Sequence, residues 1–496
     1  MFLQIHFRFD PAGKGAGMKF TFENLGPVKK AELELGDLTI LSGLNNTGKT
    51  HIVYALYGFL SGFDRQFRGS WGNRFVESHF TKIGAGPVER AVRRLRDDGQ
   101  VMWDMSEALR EEERDRLVVE MAKEYSENGI SRTFNASPKY FRGASLRVSY
   151  RNESFVDFSS FRAHLDQRGR SIYWDHDGGR VVVSLVDETT AGVGLPSPGD
   201  LERVFVRTYL HFLLGGAFTF VQNPYIFSSA RHTIPLFISE LDYVSSQYVR
   251  SMKFKEREPD DAPPFDNEPL QNIGSYPLPV HDNIDSYRRI PQLAEYYRNE
   301  TSEDNAGPIE EMLRGRFKVV DDSVRLTSSP GEGAGFDIPL HLASSSAWEL
   351  SSLHFFLKYI YELDDDRLII IDEPESHLDT TNQIRLARLL AEMVNAGLQI
   401  LITTHSDYIV KEVNNLIMLS SGFARKEETM ERLGYREADV LSPGQVRAYT
   451  AGEGTLNPNE VDEFGIQMPI FDQTIDDINR RARELYTRIE REKGDE

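Results

Sequence analysis

The 496-residue chain contains no cysteine. That excludes disulfides, thiolate zinc sites and a cysteine nucleophile, and it fits a cytoplasmic protein. No apolar stretch reaches the roughly 18 residues that a membrane-spanning helix needs, so no membrane partner is expected. No heptad repeat is sustained anywhere, which argues against DNA tethering by a long coiled-coil rod. Positive charge is also scarce: 57 Lys and Arg stand against 77 Asp and Glu, a net charge of −20. Such a balance argues against a surface that embraces nucleic acid throughout, while leaving room for a local groove that binds DNA. The basic stretches Arg90 to Arg96 and Arg480 to Arg491 are diluted by Asp97, Asp98, Glu484, Glu490 and Glu492. They read as solvated helix faces.

What the chain does have is a phosphate-binding loop. Gly43-Leu44-Asn45-Asn46-Thr47-Gly48-Lys49-Thr50 completes the pattern G-x-x-x-x-G-K-[ST] between a short apolar strand, Leu38 to Ser42, and an apolar-faced helix, His51 to Phe59. Gly43 and Gly48 let the backbone curl so that its N–H groups converge on phosphate oxygens, and the helix N-terminus adds partial positive charge. Lys49 is expected at the β- and γ-phosphates, and Thr50 at a magnesium ion (Mg2+). Far downstream, Leu368-Ile369-Ile370-Ile371 ends in Asp372-Glu373. Asp372, at the carboxyl end of a strand, is expected to hold the magnesium through water. Glu373 follows directly and suits a general base that takes a proton from the attacking water. A plainer reading has both carboxylates capping the turn before Pro374. Together the two motifs predict a chain that binds and hydrolyses a nucleoside triphosphate.

The run Asp372-Glu373-Pro374-Glu375-Ser376-His377-Leu378-Asp379 is followed by a helical stretch, Thr381 to Asn395, and by a second aliphatic strand, Gln399 to Thr404, ending in His405-Ser406. This order resembles the nucleotide-binding heads of ABC-type ATPases, in the branch that contains SMC, RecF and OLD-family proteins. The resemblance implies an α/β fold of the P-loop class, an ABC-ATPase head carrying a mixed α+β insertion and a second, lid-like one. It implies ATP and Mg2+ as ligands, with Asp379 in a loop that crosses a dimer interface and His405 at the γ-phosphate. It also implies a signature helix facing the γ-phosphate of a second subunit. The matching stretch runs from Ala343 to Leu353, with Ser345 and Ser346 in contact. Ala347 stands where related ATPases carry glycine, and its Cβ restricts the approach of backbone to phosphate. The same serines also read as the N-cap of an amphipathic segment, Leu350 to Tyr361. No Q-loop glutamine can be assigned. Arg231, closing Phe227-Ser228-Ser229-Ala230-Arg231, matches an arginine that related proteins place after a strand in that region, near the γ-phosphate.

On this reading the chain divides into an N-terminal extension (1–17), a first head segment with the loop (18–62), an insertion domain (63–216), a second head segment (217–253), a flexible insert or lid (254–330), and a third head segment with a C-terminal helix (331–496). Met18 to Val28 looks like an opening strand, so the preceding piece reads as an alternative start or tag-like extension. Within the first insertion, Ser106 to Asn128 is predicted helical, and Ser145 to Tyr150 and Val181 to Leu185 are predicted strands. Ala217 to Phe227 is the next expected core strand. Lys255 to Pro279, rich in Pro, Asp, Glu and Asn, reads as a loop or mobile lid. Phe317 to Leu326 and Phe336 to Leu342 are predicted to form a hairpin around Ser328 to Gly333.

About 90 residues follow His405, below the usual domain size. Asp472 to Asp477 reads as the start of a terminal helix, so a TOPRIM nuclease site is not expected there and neither is nuclease activity. An ATPase head without its own nuclease or rod resembles the ATPase subunits of bacterial anti-phage systems such as PARIS, Septu and Septu-like retrons. That resemblance implies an ATP-sandwich homodimer or larger homo-oligomer, control of a separately encoded TOPRIM or HNH nuclease effector, and a phage-encoded trigger protein. Two alternatives stay open: a RecF-like repair ATPase binding DNA across its dimer, and a nucleotide-binding scaffold with slow turnover.

Overall fold

The computed structural model describes residues 4–6, 18–68, 93–95, 97–98, 100–104, 111–150, 162–166, 170–177, 180–187, 224–238, 240, 276–297, 306–328, 335–361 and 368–494. Nine strands form the central sheet: β1 (Met18–Leu25), β2 (Val28–Glu34), β3 (Leu38–Gly43), β4 (Ser145–Tyr150), β5 (Tyr225–Phe227), β6 (Leu368–Asp372), β7 (Gln399–Thr404), β8 (Val446–Gly452) and β9 (Thr455–Asn459). Their spatial order is β5-β6-β7-β3-β8-β9-β2-β1-β4. From β5 to β8 every pairing is parallel. The remaining pairings are antiparallel except β9 with β2. The central strands β3, β6 and β7 of the parallel half are accordingly rich in buried aliphatic residues, with Leu38, Ile40, Leu41, Ile369 to Ile371 and Ile400 to Ile402 all buried. In β1, by contrast, Met18, Phe20 and Phe22 are buried while Lys19, Thr21 and Glu23 are partly open, the alternation of a sheet wet on one side.

Five helices position the site: α1 (Lys49–Arg68), α2 (Leu278–Tyr296), α3 (Ser345–Tyr359), α4 (Thr380–Asn395) and α5 (Asp407–Met418). Leu38 and Ile40, Ile369 and Ile371, Ile400 and Ile402 enter one apolar cluster with residues of α3, α4 and α5. Because alternate strand residues share a face, that cluster defines one side of the sheet. Helix α1 packs against β3, β6 and β7.

Several expectations are corrected by the tertiary structure. Residues 276–297 and 306–328, expected within a flexible insert, belong to the core: Ile290, Ile309, Met312 and Phe317 join the same apolar cluster. Polar contacts lock α2 in place as well. Asn283 Oδ1 accepts from Ser228 N and Oγ at 2.8 and 2.7 Å, and Tyr57 on α1 donates to Asp282 at 2.6 Å. The Pro-rich stretch that suggested a lid, up to residue 275, lies outside the described residues.

The predicted pairing is present, since Ser323–Ser328 runs antiparallel to Asp337–Pro339, but Phe317 to Leu326, expected as one strand, is itself folded in two. Strands Gly315–Val320 and Ser323–Ser328 pair around Asp321-Asp322, both with positive φ (48° and 59°), and the short strand Asp337–Pro339 adds to the second of them. Two successive left-handed residues are what a two-residue hairpin of right-twisted strands needs, and Asp tolerates that conformation. Ser145–Tyr150, expected inside an insertion, is β4, an edge of the main sheet. Arg180–Asp187 lies in a separate five-stranded sheet, where Gln4–His6 from the expected N-terminal extension pairs with Arg162–Asp166. Of the core strand expected at Ala217 to Phe227, Tyr225–Phe227 is observed and 217–223 lie outside the described residues.

If 306–328 is core, Ile309→Ala should lower the free energy of unfolding by about 3 kcal/mol, within the range for emptying a fully buried aliphatic site. The shift of the chemical denaturation midpoint measures it. A mobile lid would leave the midpoint unchanged.

Candidate functional site

The register of three parallel strands assembles the site. Thr404 lies opposite Ser42 and Asp372 opposite Thr403, so β3, β6 and β7 end side by side at one sheet edge. The loop Gly43 to Thr50, Asp372-Glu373 and His405 all leave from that edge, where parallel α/β sheets present ligand-binding groups.

The loop is held by glycine-only geometry. Gly43 has φ 135° and Gly48 has φ 96°; a Cβ would strike the Ala451 carbonyl at the first and Val28 at the second. Asn46 also adopts the left-handed region, φ 61°, which Asn tolerates. Thr47 Oγ1 donates to the Leu44 carbonyl at 2.9 Å, closing the turn, while Asn45 is exposed. Lys49 is buried, and its Nζ donates to the Gly43 and Leu44 carbonyls at 3.0 Å each. Burial lowers its pKa, and the carboxylates of Glu373, Asp372 and Glu375 oppose that shift. The ammonium is therefore poised over the loop with two neutral carbonyls as its hydrogen-bond partners among the described residues.

Thr50, first-turn residue of α1, donates to Asp372 Oδ1 at 3.3 Å, and Thr403 Oγ1 donates to the same oxygen at 2.6 Å. Asp372 Oδ2 is buried with no hydrogen-bond partner among the described residues. Burial raises the Asp372 pKa, and the Thr403 bond draws it back. A buried carboxylate oxygen without a partner is costly, and a divalent cation would satisfy it. Thr50 and Asp372 offer hard oxygens, the donor set that suits magnesium. Among the described residues no cluster of three or more His, Cys, Asp or Glu could hold a metal, so this ion would rely on phosphate oxygens for its remaining ligands. The residues present thus fit the metal that the motifs imply.

Glu373 sits in the left-handed region, φ 54°, which is uncommon for its residue type. The turn is fixed by Thr403, whose carbonyl and Oγ1 both accept from Glu373 N, at 3.2 and 3.0 Å. The Glu373 side chain is part-exposed, with Oε1 3.7 Å from His405 Nε2 and Oε2 accepting from Ser376 Oγ at 3.4 Å. His405 is held through its backbone N–H, which donates to Glu375. Partial burial, helped by the charge of Lys49, lowers the pKa of the imidazole. At neutral pH the ring is therefore uncharged and able to donate or accept.

Arg231, expected near the γ-phosphate, has another place. It is 3% exposed, with its guanidinium donating to the carbonyls of Ser228 (2.9 Å), Asp372 (2.6 Å) and Glu373 (3.0 Å) and paired with Glu349 of α3. It is a strut behind the Asp372-Glu373 turn. Glu349 is itself buried, and burial pushes its carboxyl up to about 7 against the pull of Arg231.

In the signature segment the cap is Ser344, not Ser345 or Ser346: Ser344 Oγ accepts from Ala347 N at 3.3 Å and lies 3.0 Å from Ser346 Oγ. Ser345 opens the helix, and both Ser345 and Ser346 stay part-exposed. Ala347 is fully buried in the core, so the side of the turn that carries its Cβ faces the protein interior. Asp379 caps α4, with Oδ1 accepting from Thr381 N and Asn382 N at 2.9 and 3.1 Å. The sequence reading missed Thr403 and Glu349. Two threonines closing an otherwise aliphatic strand are a signal for the first; a lone acid inside the apolar run of α3 is a signal for the second.

Residues 282–410 match the family described as AAA ATPase domain (AAA_15). That stretch contains α3, β6, β7 and His405, and leaves the loop Gly43 to Thr50 outside it. Over 85 residues, 16% of this chain, the sequence is 32% identical to ABC transporter G family member 5 of Arabidopsis thaliana; the matched stretch is 13% of that protein's length. Among solved structures, an Smc head domain with an extended coiled coil bound to the C-terminal domain of ScpA, from Pyrococcus furiosus, superposes with TM-score 0.33 at 13% identity, over 94% of this chain and 99% of that one. The SMC head domain from Thermotoga maritima gives 0.28 at 13% identity, over 90% and 99%. A structure of the recombination mediator protein RecF gives 0.30 at 12% identity, over 90% and 99%.

The strut makes two checks available. Arg231→Ala should destabilise the protein by about 3–5 kcal/mol at neutral pH, because Glu349 is left buried and unpaired, and Arg231→Met with Glu349→Leu should recover most of the loss. The folded-state pKa of Glu349, about 7, lies above its ordinary 4.5, so the folded state takes up a proton between those values. Its contribution to stability is therefore present at low pH and falls as pH rises through that window. Glu349→Gln should flatten this slope in denaturation curves measured from pH 4.5 to 7.

Proposed function

We propose that the chain is an ABC-type ATPase that binds ATP at Gly43 to Thr50 and hydrolyses it between two copies of itself. One observation carries the reading: Thr50 lies 3.3 Å from Asp372 across the ends of two strands, with Glu373 and His405 beside them. Phosphate oxygens would replace the Gly43 and Leu44 carbonyls as partners of Lys49, and the backbone N–H groups of the loop would cradle them. Bound at Thr50 and Asp372, magnesium would neutralise charge on the phosphates. Glu373, aimed by its constrained turn, takes the proton of the attacking water. His405, uncharged, donates a hydrogen bond toward the γ-phosphate. The second copy contributes the part-exposed Ser345 and Ser346 at the start of α3, and the Asp379 loop lines the same interface. Closure around ATP is then favoured because ATP binds two half-sites only in the closed state.

At a finer level, the resemblance to ATPase subunits of anti-phage systems supports a cytoplasmic sensor that oligomerises and restrains a separately encoded TOPRIM or HNH nuclease until a phage-encoded trigger arrives. The Arg231–Glu349 pair gives such a sensor a route outward, since it joins the catalytic turn to the helix that meets the second copy. Coexpression with the flanking genes should yield a stoichiometric nuclease-like subunit in native mass spectra. A chain that copurifies only with itself or with DNA would contradict the sensor role.

Glu373→Gln should bind ATP, accumulate as a closed oligomer and lose at least about 100-fold in phosphate release. Lys49→Ala should lose nucleotide binding itself. Normal turnover by Glu373→Gln would show that another group is the base.

A further inference from the structure

We propose that the C-terminal helix, Pro469–Gly494, is a docking strip for a helix of a second protein, one that is apolar along its seam and acidic along its edges. Every side chain from 477 to 490 is exposed, including Ile478 at 59%, Leu485 at 62% and Ile489 at 52%. Helices in water draw most of their stability from burying an apolar face, so about four turns bare on all sides, 477–490, are missing a neighbour.

The spacing says what kind. Phe471, Ile475, Ile478, Ala482, Leu485 and Ile489 follow one another at intervals of 4, 3, 4, 3 and 4, the seam of a two-helix coiled coil. Fewer than three heptads are too few for a rod and enough for a docking contact. Ala482, small and central, leaves room for a bulky residue opposite it.

The edges of the seam choose the partner. Thr474, Arg481 and Arg488 flank it on one side, Asp472, Asn479 and Tyr486 on the other, so the first edge is the basic one. Arg488 makes an ion pair with Glu484 at 3.1 Å within the same helix. Both groups are exposed, so that pair is weak and open to exchange. A second copy is disfavoured in either orientation. Antiparallel pairing would set one arginine edge against the other, and parallel pairing would bring Arg488 opposite the lysine at position 493. A partner helix with Asp or Glu at its edges relieves both conflicts.

The test needs neither nucleotide nor the ATPase reading. A labelled synthetic helix with Leu along its seam and Glu along its edges, and a control with Lys at the edges, are titrated against the full chain by fluorescence anisotropy. The Glu-edged helix should bind at least about tenfold more tightly than the Lys-edged one, and less tightly as salt is raised. Ile478→Asp with Leu485→Asp should abolish binding, and Arg481→Glu with Arg488→Glu should reverse the preference; both lie on exposed surface, so circular dichroism should show the fold retained. Equal binding of the two helices, or none, would overturn the proposal. So would amide protection of 478–489 in the free monomer, which would mean that this chain covers its own helix, or a homodimer that the double Asp variant dissociates.

Discussion

Thr403 is the residue on which the site depends. Its hydroxyl donates to Asp372, and its hydroxyl and carbonyl together receive the N–H of Glu373. One residue thereby sets the carboxylate of Asp372 and the left-handed backbone of Glu373, the proposed metal ligand and general base. This works only because β7 pairs with β6 in a register that puts Thr403 opposite Asp372. A slip of one residue would turn Thr403 to the other face of the sheet and take from Asp372 the shorter of its two hydroxyl hydrogen bonds. The aliphatic interior of the three strands prevents the slip, so apolar burial in the core is what gives the polar edge its geometry.

Behind that edge, the buried guanidinium of Arg231 gathers the carbonyls of Asp372 and Glu373 and the carboxylate of Glu349. Few elements could move independently under such a constraint. A shift of α3 on meeting a second copy would be felt at Glu373 through this pair, and a change at Glu373 would be felt at α3. Coupling of this kind is reciprocal by necessity. It gives the proposed closure around ATP a physical path to whatever partner the head controls.

Much of this was legible from local pattern. The loop from Gly43 to Thr50 and the strands ending at Asp372 and His405 announce themselves because glycine placement, aliphatic runs and strand-end polar residues are local signals. What escaped was decided over long separations. Ile309 and Phe317 look unremarkable in a stretch next to a Pro-rich segment, and only their packing on α3 and α4 shows them to be core. Arg231 looks like a ligand-binding arginine until Glu349, more than a hundred residues later, is found against it. The cap of α3 is Ser344 and not Ser345 or Ser346, because three serines in a row offer the same chemistry and only backbone geometry selects among them. Asp321-Asp322 was read through because two acids within a strand-like run do not reveal their positive φ.

In the proposed mechanism, hydrolysis takes place between two copies of the chain. The direct measurement is the initial rate of phosphate release from ATP per mole of chain, across a wide range of protein concentration. If each site is completed by a second copy, the rate per chain rises with concentration and levels off as the dimer fills. A rate per chain that stays constant down to concentrations where light scattering shows only monomer would contradict the account.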